Sequence, residues 1–285
     1  VYKRVAAVLG CLLAVSLAAS ACSIRTTSGS DDETTGGGSL PSSSIAAAKS
    51  RGTLVVGTAP GYLPFDMKDT KGAFIGYDMD LARAMATSLG VKVEFKQYDF
   101  AALIPALKQG SVDVAIAGFS ITGERALEIS YSEPYYAAGQ SVLVPSSDSA
   151  TQSWKDLDKK GKRIGVSQGT TGAMLAHKLF RHATVADYEN LPASTLALTQ
   201  RKVDAVVYDQ PGLQIFAKQN PGKARILDDK ISTENLGVVL KHNDIASVQW
   251  VNSFLDSYLG SGDEKLSRNT WFNSVSWFDR VQKQK

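Results

Sequence analysis

Apolar positions along the chain fall into short solid runs separated by amphipathic stretches. Leu54–Thr58 (LVVGT) is a continuous apolar run closing on Gly-Thr, the pattern of a parallel strand covered on both faces. In GYDMDLARAMATSLGVKVEF, Leu81, Met85 and Leu89 recur at helical spacing, Gly90 supplies a C-terminal stop, and VKVEF alternates as a strand. FAALIPALKQG predicts a helix kinked at Pro105, and VDVAIAG a buried strand. Thr122 is then expected to cap a short helix with Glu124 in its first turn.

The second half repeats this order. KRIGVSQGT mirrors LVVGTAP, and TGAMLAHKLF is helical. Gln109-Gly-Ser-Val-Asp113, ahead of one apolar run, is echoed by Gln200-Arg-Lys-Val-Asp204 ahead of another. Two aligned echoes predict an α/β protein of two similar lobes. Ser141–Pro145 and Asn235–Leu240 border the second lobe and read as the two crossings between them. Trp250, Phe254, Leu255 and Tyr258, at helical spacing, are expected to return to the first lobe. The division expected is residues 46–138 and 237–285 for lobe 1, and 139–236 for lobe 2.

The opening VYKRVAAVLGCLLAVSLAASACS has a basic start at Lys3 and Arg4, an apolar stretch too short for a stable membrane anchor, and small residues directly before Cys22. It resembles a bacterial lipoprotein leader, with Ala19 where leucine is usual. That implies a signal peptide over 1–21 and a lipid on Cys22. Plain secretion with cleavage near Ala21 is the alternative. Residues 22–45, rich in Ser, Thr and Gly, are expected to form a disordered tether.

Composition narrows the function. The 285 residues, 44% apolar, suffice for about two domains. Removing Lys3 and Arg4 with the leader leaves 31 − 2 − 28 = +1, a near-neutral balance that argues against a nucleic-acid partner. Both cysteines, Cys11 and Cys22, precede the body, which excludes a disulfide framework and a cysteine-zinc site there. His177, His182 and His242 are scattered, without the close carboxylate neighbours of a metal cluster. No metal and no cofactor is expected.

Ligands of open α/β sheets sit beyond the C-terminal strand ends. Four such ends are predicted: Thr58–Tyr62, Gly118–Ser120, Ser167–Thr171 and Tyr208–Asp209. Near them Arg125 offers a planar fork for a carboxylate, and Thr170 and Thr171 open a helix after Gly169. Asp209 is a lone acid in the other lobe. One cation-binding and one anion-binding group with neutral donors between them suit a zwitterion. Each also has a plainer role open to it: Arg125 as a structural ion-pair residue, Asp209 as a cap for the helix at Gln210-Pro211, Tyr62 as core, and Gly169-Thr-Thr as a capped turn.

GYDMDLA, SITGERALEISYSEPYY, QGTT and VDAVVYD together resemble the family 3 solute-binding proteins of polar amino-acid ABC importers, from about residue 50 to the end. The resemblance implies the type II periplasmic-binding-protein fold, in which two lobes close about a hinge of two crossing strands, and no enzymatic activity. It implies that Arg125 grips the ligand α-carboxylate with Ser120, the Gly118 backbone and Thr170. Asp209 would take the α-ammonium, Tyr62 and Phe100 would flank the side chain, and Thr171 would contribute from lobe 2. Cationic-ligand relatives carry an acid at the position of Ala59, so a non-cationic ligand is implied. Ala117 and Gly118 are expected to leave room, and Ser167, Gln168 and Tyr208 to offer polar contacts to a side-chain amide. That points to glutamine, with glutamate next. The implied partners are a free amino acid, an importer permease and the membrane through the lipid, with the protein a monomer on the extracytoplasmic face.

Two rivals stand. Gly165-Val-Ser167-Gln-Gly169 matches G-x-S-x-G, and Ser167, Asp209 and His242 fall in hydrolase order, though no oxyanion-hole motif accompanies them. A cleft dehydratase on the same fold is the other, for which no acid/base residue is evident.

Overall fold

The structure is a computed structural model, and it describes residues 43–281. The leader, Cys22 and residues 22–42 of the expected tether lie outside the described residues. Residues 43–45, expected in the tether, belong to the folded body instead. Ser43 caps the helix Ser44–Arg51 by accepting from the Ala46 N–H, the Ser44 N–H donates to the Asp244 carboxylate at 2.8 Å, and Ile45 is buried.

Two five-stranded sheets are built on one plan. In the first, Thr53–Thr58 lies between Lys92–Gln97 and Val114–Ala115, parallel to both, and Val239–Lys241 and Ile129–Tyr131 complete the row. In the second, Arg163–Ser167 lies between Thr184–Tyr188 and Ala205–Asp209, parallel to both, followed by Gln140–Pro145 and Ala224–Ile226. The fourth strand of each row is antiparallel to the third and is the strand that enters from the other lobe.

The crossing pair is Tyr136–Ala138 against Glu234–Leu236, antiparallel. Ser141–Pro145, read from sequence as a crossing, is an interior strand of the second sheet, buried from Gln140 to Val144. The chain therefore changes lobe a few residues earlier, at the less apolar Tyr136-Ala-Ala. The C-terminal helix Ile245–Tyr258 packs on the Ser44–Arg51 and Tyr77–Leu89 helices of the first sheet.

The sequence echo has a structural job. Asp113 takes the Val55 N–H on its carboxylate at 2.8 Å and gives its own N–H to the Val55 carbonyl; Asp204 does the same with Arg163, at 2.8 Å and 2.7 Å. Each aspartate ties the foot of the third strand of its row to the second. Three residues before each aspartate, Gly110 (φ 77°) and Arg201 (φ 60°) turn in the left-handed region, so the second lobe has an arginine where the first has glycine. Ahead of the first echo, Phe100–Ala102 forms a 3-10 turn and Leu103–Lys108 a helix. Pro105 lies in the first turn of that helix, where its missing N–H breaks no bond, so it does not kink an interior as expected. The turn after Thr122 is a 3-10 turn, Arg125–Leu127, with the Thr122 hydroxyl accepting from the Arg125 N–H.

Removing either echoed carboxylate strands a strand-edge N–H, so Asp113→Ala and Asp204→Ala should each cost about 1–3 kcal/mol. The check is the urea unfolding midpoint of each variant. An unchanged midpoint would deny these aspartates their anchoring role.

Candidate functional site

The first three strands of each sheet end toward the other lobe, and the residues on those ends meet. Tyr62, on the loop after Thr58, donates its hydroxyl to Asp209 Oδ2 at 2.6 Å, from the first lobe to the second. Arg125 Nη2 donates to the Gly169 carbonyl at 2.8 Å, and the hydroxyls of Ser120 and Thr171 are 3.2 Å apart. These three contacts close the cleft.

Arg125 is 8% exposed, and among the described residues it has no carboxylate within ion-pair distance. Its guanidinium donates to two carbonyls, Ser120 at 3.0 Å and Gly169, and lies 5.5 Å and 5.4 Å from the ring centres of Phe100 and Phe119. Those rings stack at 4.4 Å. Aromatic faces and carbonyl dipoles hold the charge without neutralising it.

Asp209 leads into the helix Gln210–Gln219 but makes no side-chain capping bond to it. Its carboxylate instead takes the Tyr62 hydroxyl and the Gln140 amide, and burial pushes its pKa up to about 7. Glu234 nearby adds to that rise, while Tyr62, Gln140 and Arg125 oppose it. The capping alternative for Asp209 thus fails on geometry.

Gln140 and Glu234 escaped the sequence reading. Gln140 opens its strand directly after the first crossing, and Glu234 opens the second crossing. The Gln140 amide nitrogen reaches Asp209, Thr171 Oγ1 at 3.0 Å and Glu234 Oε2 at 3.4 Å, while Thr171 donates to Glu234 at 2.7 Å. The Asp209 carboxylate is thereby linked to both crossing strands. The available signal was a glutamine heading an otherwise apolar buried strand, a position where a polar group needs partners.

Two further buried acids shape the first-lobe wall. Asp66 accepts from the Thr58 hydroxyl and from the N–H groups of Ala59 and Tyr62, fixing the loop that carries Tyr62. Asp78, from GYDMDLA, accepts the Gly118 N–H at 2.8 Å. That N–H, expected to serve a ligand carboxylate, is therefore committed within the protein. Nor is the space over Gly118 open: at φ 61°, a Cβ there would stand 2.3 Å from the Tyr62 ring. Burial raises Asp78 to about 7, against the pull of the Tyr135 hydroxyl and the Gly118 N–H. Burial and the neighbouring Asp78 raise Asp66 well above the carboxylate range.

Thr170 caps the helix Thr171–Leu179, accepting from the Ala173 N–H while its hydroxyl donates to the Ser167 carbonyl at 2.7 Å. Gln168 is exposed, and its N–H pairs with the Tyr188 carbonyl, so its side chain is not gathered with the others. Gln168 begins the exposed turn that follows the buried run of residues 164–167.

The hydrolase grouping is not assembled. His242 is exposed in the turn after Val239–Lys241, and the hydrogen bonds of Asp209 go to Tyr62 and Gln140, while the buried Ser167 hydroxyl has no partner. The other histidines do have acidic neighbours, contrary to expectation: His177 with Asp187 and His182 with Asp158, each at 2.9 Å. Among the described residues no three such groups converge.

Residues 54–274 match the bacterial extracellular solute-binding proteins, family 3. The chain belongs to this family. It is 34% identical over 206 residues to a probable histidine-binding protein of Neisseria gonorrhoeae, covering 71% of this chain and 76% of that one. It is 35% identical over 194 residues to a glutamine-binding protein of Geobacillus stearothermophilus, covering 67% and 73%. Among solved structures, a binding component of an ABC transporter from Wolinella succinogenes complexed with lysine aligns with a TM-score of 0.77 at 35% identity, over 81% of this chain and all of that one. An ancestral amino-acid-binding protein described as a precursor of cyclohexadienyl dehydratase aligns at 0.77 and 34%, with the same coverage. The two-lobed binding-protein fold expected from the repeated halves is thus the fold observed.

Asp66, Asp78 and Asp209 have folded pKa values above that of a free aspartate, near 3.9. Through Asp78 and Asp209, raised to about 7, the folded protein holds more protons than the unfolded chain between about 4 and 7 and loses that stabilisation as pH rises through about 7; Asp66 acts in the same sense. Asp158, held down to about 2 by the His182 and Ala183 N–H groups and the His182 ring, acts in the opposite sense only below about 4. The melting temperature of ligand-free protein should fall from pH 5 to pH 8, and Asp78→Asn, which keeps an acceptor for Gly118, should shrink the fall. A slope unaltered in that variant would exclude Asp78 as a source.

Proposed function

We propose that this protein captures a free α-amino acid between its lobes and delivers it to the permease of an ABC importer. The observation carrying the reading is that Arg125 and Asp209, from opposite lobes, are buried in one cleft and each satisfied by neutral partners rather than by the other. A zwitterion supplies both missing counter-charges at once, its carboxylate to the guanidinium and its ammonium to Asp209. The same contacts that bridge the lobes make the closed arrangement the one with differential affinity for ligand. Relatives named for histidine, glutamine and lysine support the class, and Ala59 supports an uncharged polar side chain, glutamine before glutamate.

Cys22 is proposed to carry the lipid that holds the protein at the extracytoplasmic face. Among the described residues no helix is long and apolar enough to cross a membrane.

A thermal-shift screen of the twenty amino acids tests the reading: ligand at a hundredfold over Kd should stabilise by about 2.7 kcal/mol. Arg125→Ala should abolish the shift while keeping the fold, and Asp209→Asn should weaken binding by about 2 kcal/mol or more. Full affinity in Arg125→Ala would refute the assignment. Since the ligand ammonium favours ionised Asp209, affinity should also weaken as pH falls below about 7.

A further inference from the structure

Beside the α-group cluster, a cavity of about 70 Å³ runs between the lobes toward the cleft mouth. Its walls include Tyr62 and Phe100, so it takes whatever projects from the α-carbon. Among the described residues the lining holds no cationic side chain: its charged residues are Asp99 from the first lobe and Glu189 from the second, beside amides and hydroxyls that include Gln97, Asn190 and Ser167. Asp99 follows the Lys92–Gln97 strand and Glu189 follows Thr184–Tyr188, the matching strands of the two sheets. The carboxylates therefore come from equivalent places on opposite lobes. Among the described residues neither side chain makes an ion pair. Asn190 already uses its side-chain oxygen to cap a helix, accepting from the Ala193 N–H, which leaves its amide N–H groups.

Ser167 supplies the independent observation. It is 3% exposed, lines the same cavity, and its hydroxyl is buried without a hydrogen-bond partner, whereas the hydroxyls of Tyr62 and Thr170 in the same wall are bonded. A hydroxyl in that condition costs stability until something bonds to it.

We infer that Asp99, Glu189 and Ser167 form a side-chain subsite selecting an amino acid whose side chain ends in N–H donors, and rejecting one that ends in a carboxylate. The neutral case is a primary amide, and the charged cases are a guanidinium, imidazolium or ammonium. The inference rests on the amino-acid-binding reading above and fixes the class of side chain within it. Carboxylates lining the cavity from both lobes repel a third, so closing the lobes on a ligand would add to the discrimination. Cationic side chains would thereby be recognised without an acid at position 59, by acids at the mouth. Glutamate, second choice from the sequence, is disfavoured.

Isothermal titration of the purified protein with glutamine, arginine, histidine, lysine and glutamate tests this, alongside Ser167→Ala and the double variant Asp99→Asn with Glu189→Gln. The wild type should bind its best donor-bearing ligand at least about tenfold more tightly than glutamate. The double variant, altered only at exposed positions, should narrow that ratio to within about threefold, and Ser167→Ala should weaken the preferred ligand about tenfold. Glutamine as the preferred ligand marks the neutral form of the subsite, and arginine, histidine or lysine the charged form. Glutamate binding most tightly, or a ratio unchanged in the double variant, overturns the side-chain assignment and leaves the amino-acid reading standing. No heat with any amino acid overturns both.

Discussion

Two opposite charges buried in one gap without pairing are the constraint on which this molecule is arranged. Left alone, a guanidinium and a carboxylate at such proximity would meet and cancel, since each loses several kcal/mol of hydration on burial. Here they are kept apart by prior commitments. Arg125 lies on two carbonyls and against two aromatic rings, and Asp209 is held by a phenol and an amide. Much of the nearby architecture serves those commitments. Asp66 fixes the loop that brings Tyr62 to Asp209, and Gln140 is placed by the strand that enters from the crossing.

The duplicated plan makes this economical. Each lobe presents the ends of three parallel strands at the interface, tied at their feet by the same aspartate bridge, Asp113 in one and Asp204 in the other. A side chain at Gly57 would meet Val112 and one at Gly165 would meet Val203, so the segment leading into the third strand packs alike in both. What differs is the chemistry at the tips. The first lobe carries a fixed cation and aromatic rings, and the second carries acids, hydroxyls and a helix start. Similar frames with dissimilar tips form a gap that is polarised from one wall to the other.

The frame was largely legible in the sequence. Apolar runs and their spacing marked the principal strands and helices, and the repeated Val-Asp signal marked the two lobes, because both depend on local pattern. Arg125, Asp209 and Tyr62 were singled out through their position at or near strand ends, and Phe100 through the family resemblance. The network behind them was not legible, since Gln140 and Glu234 reach Asp209 only once the crossing strands pair, and sequence spacing carries no trace of that meeting. Gln168 stands apart from the cluster for a smaller reason: it begins the exposed turn that follows buried Ser167. The Gly118 N–H was assigned to a ligand because its internal acceptor, Asp78, lies forty residues earlier.

Tyr62 touches both halves with different parts of one side chain: its ring covers Gly118 in its own lobe, while its hydroxyl reaches a carboxylate in the other. A phenol bonded to an acid differs electronically from one in water. Separating the lobes would replace the first state by the second without disturbing the ring's own seat. In the proposed closure this tyrosine would serve as a built-in spectroscopic gauge, its ultraviolet absorption or ring-carbon chemical shift reporting the separation of the lobes without an attached label.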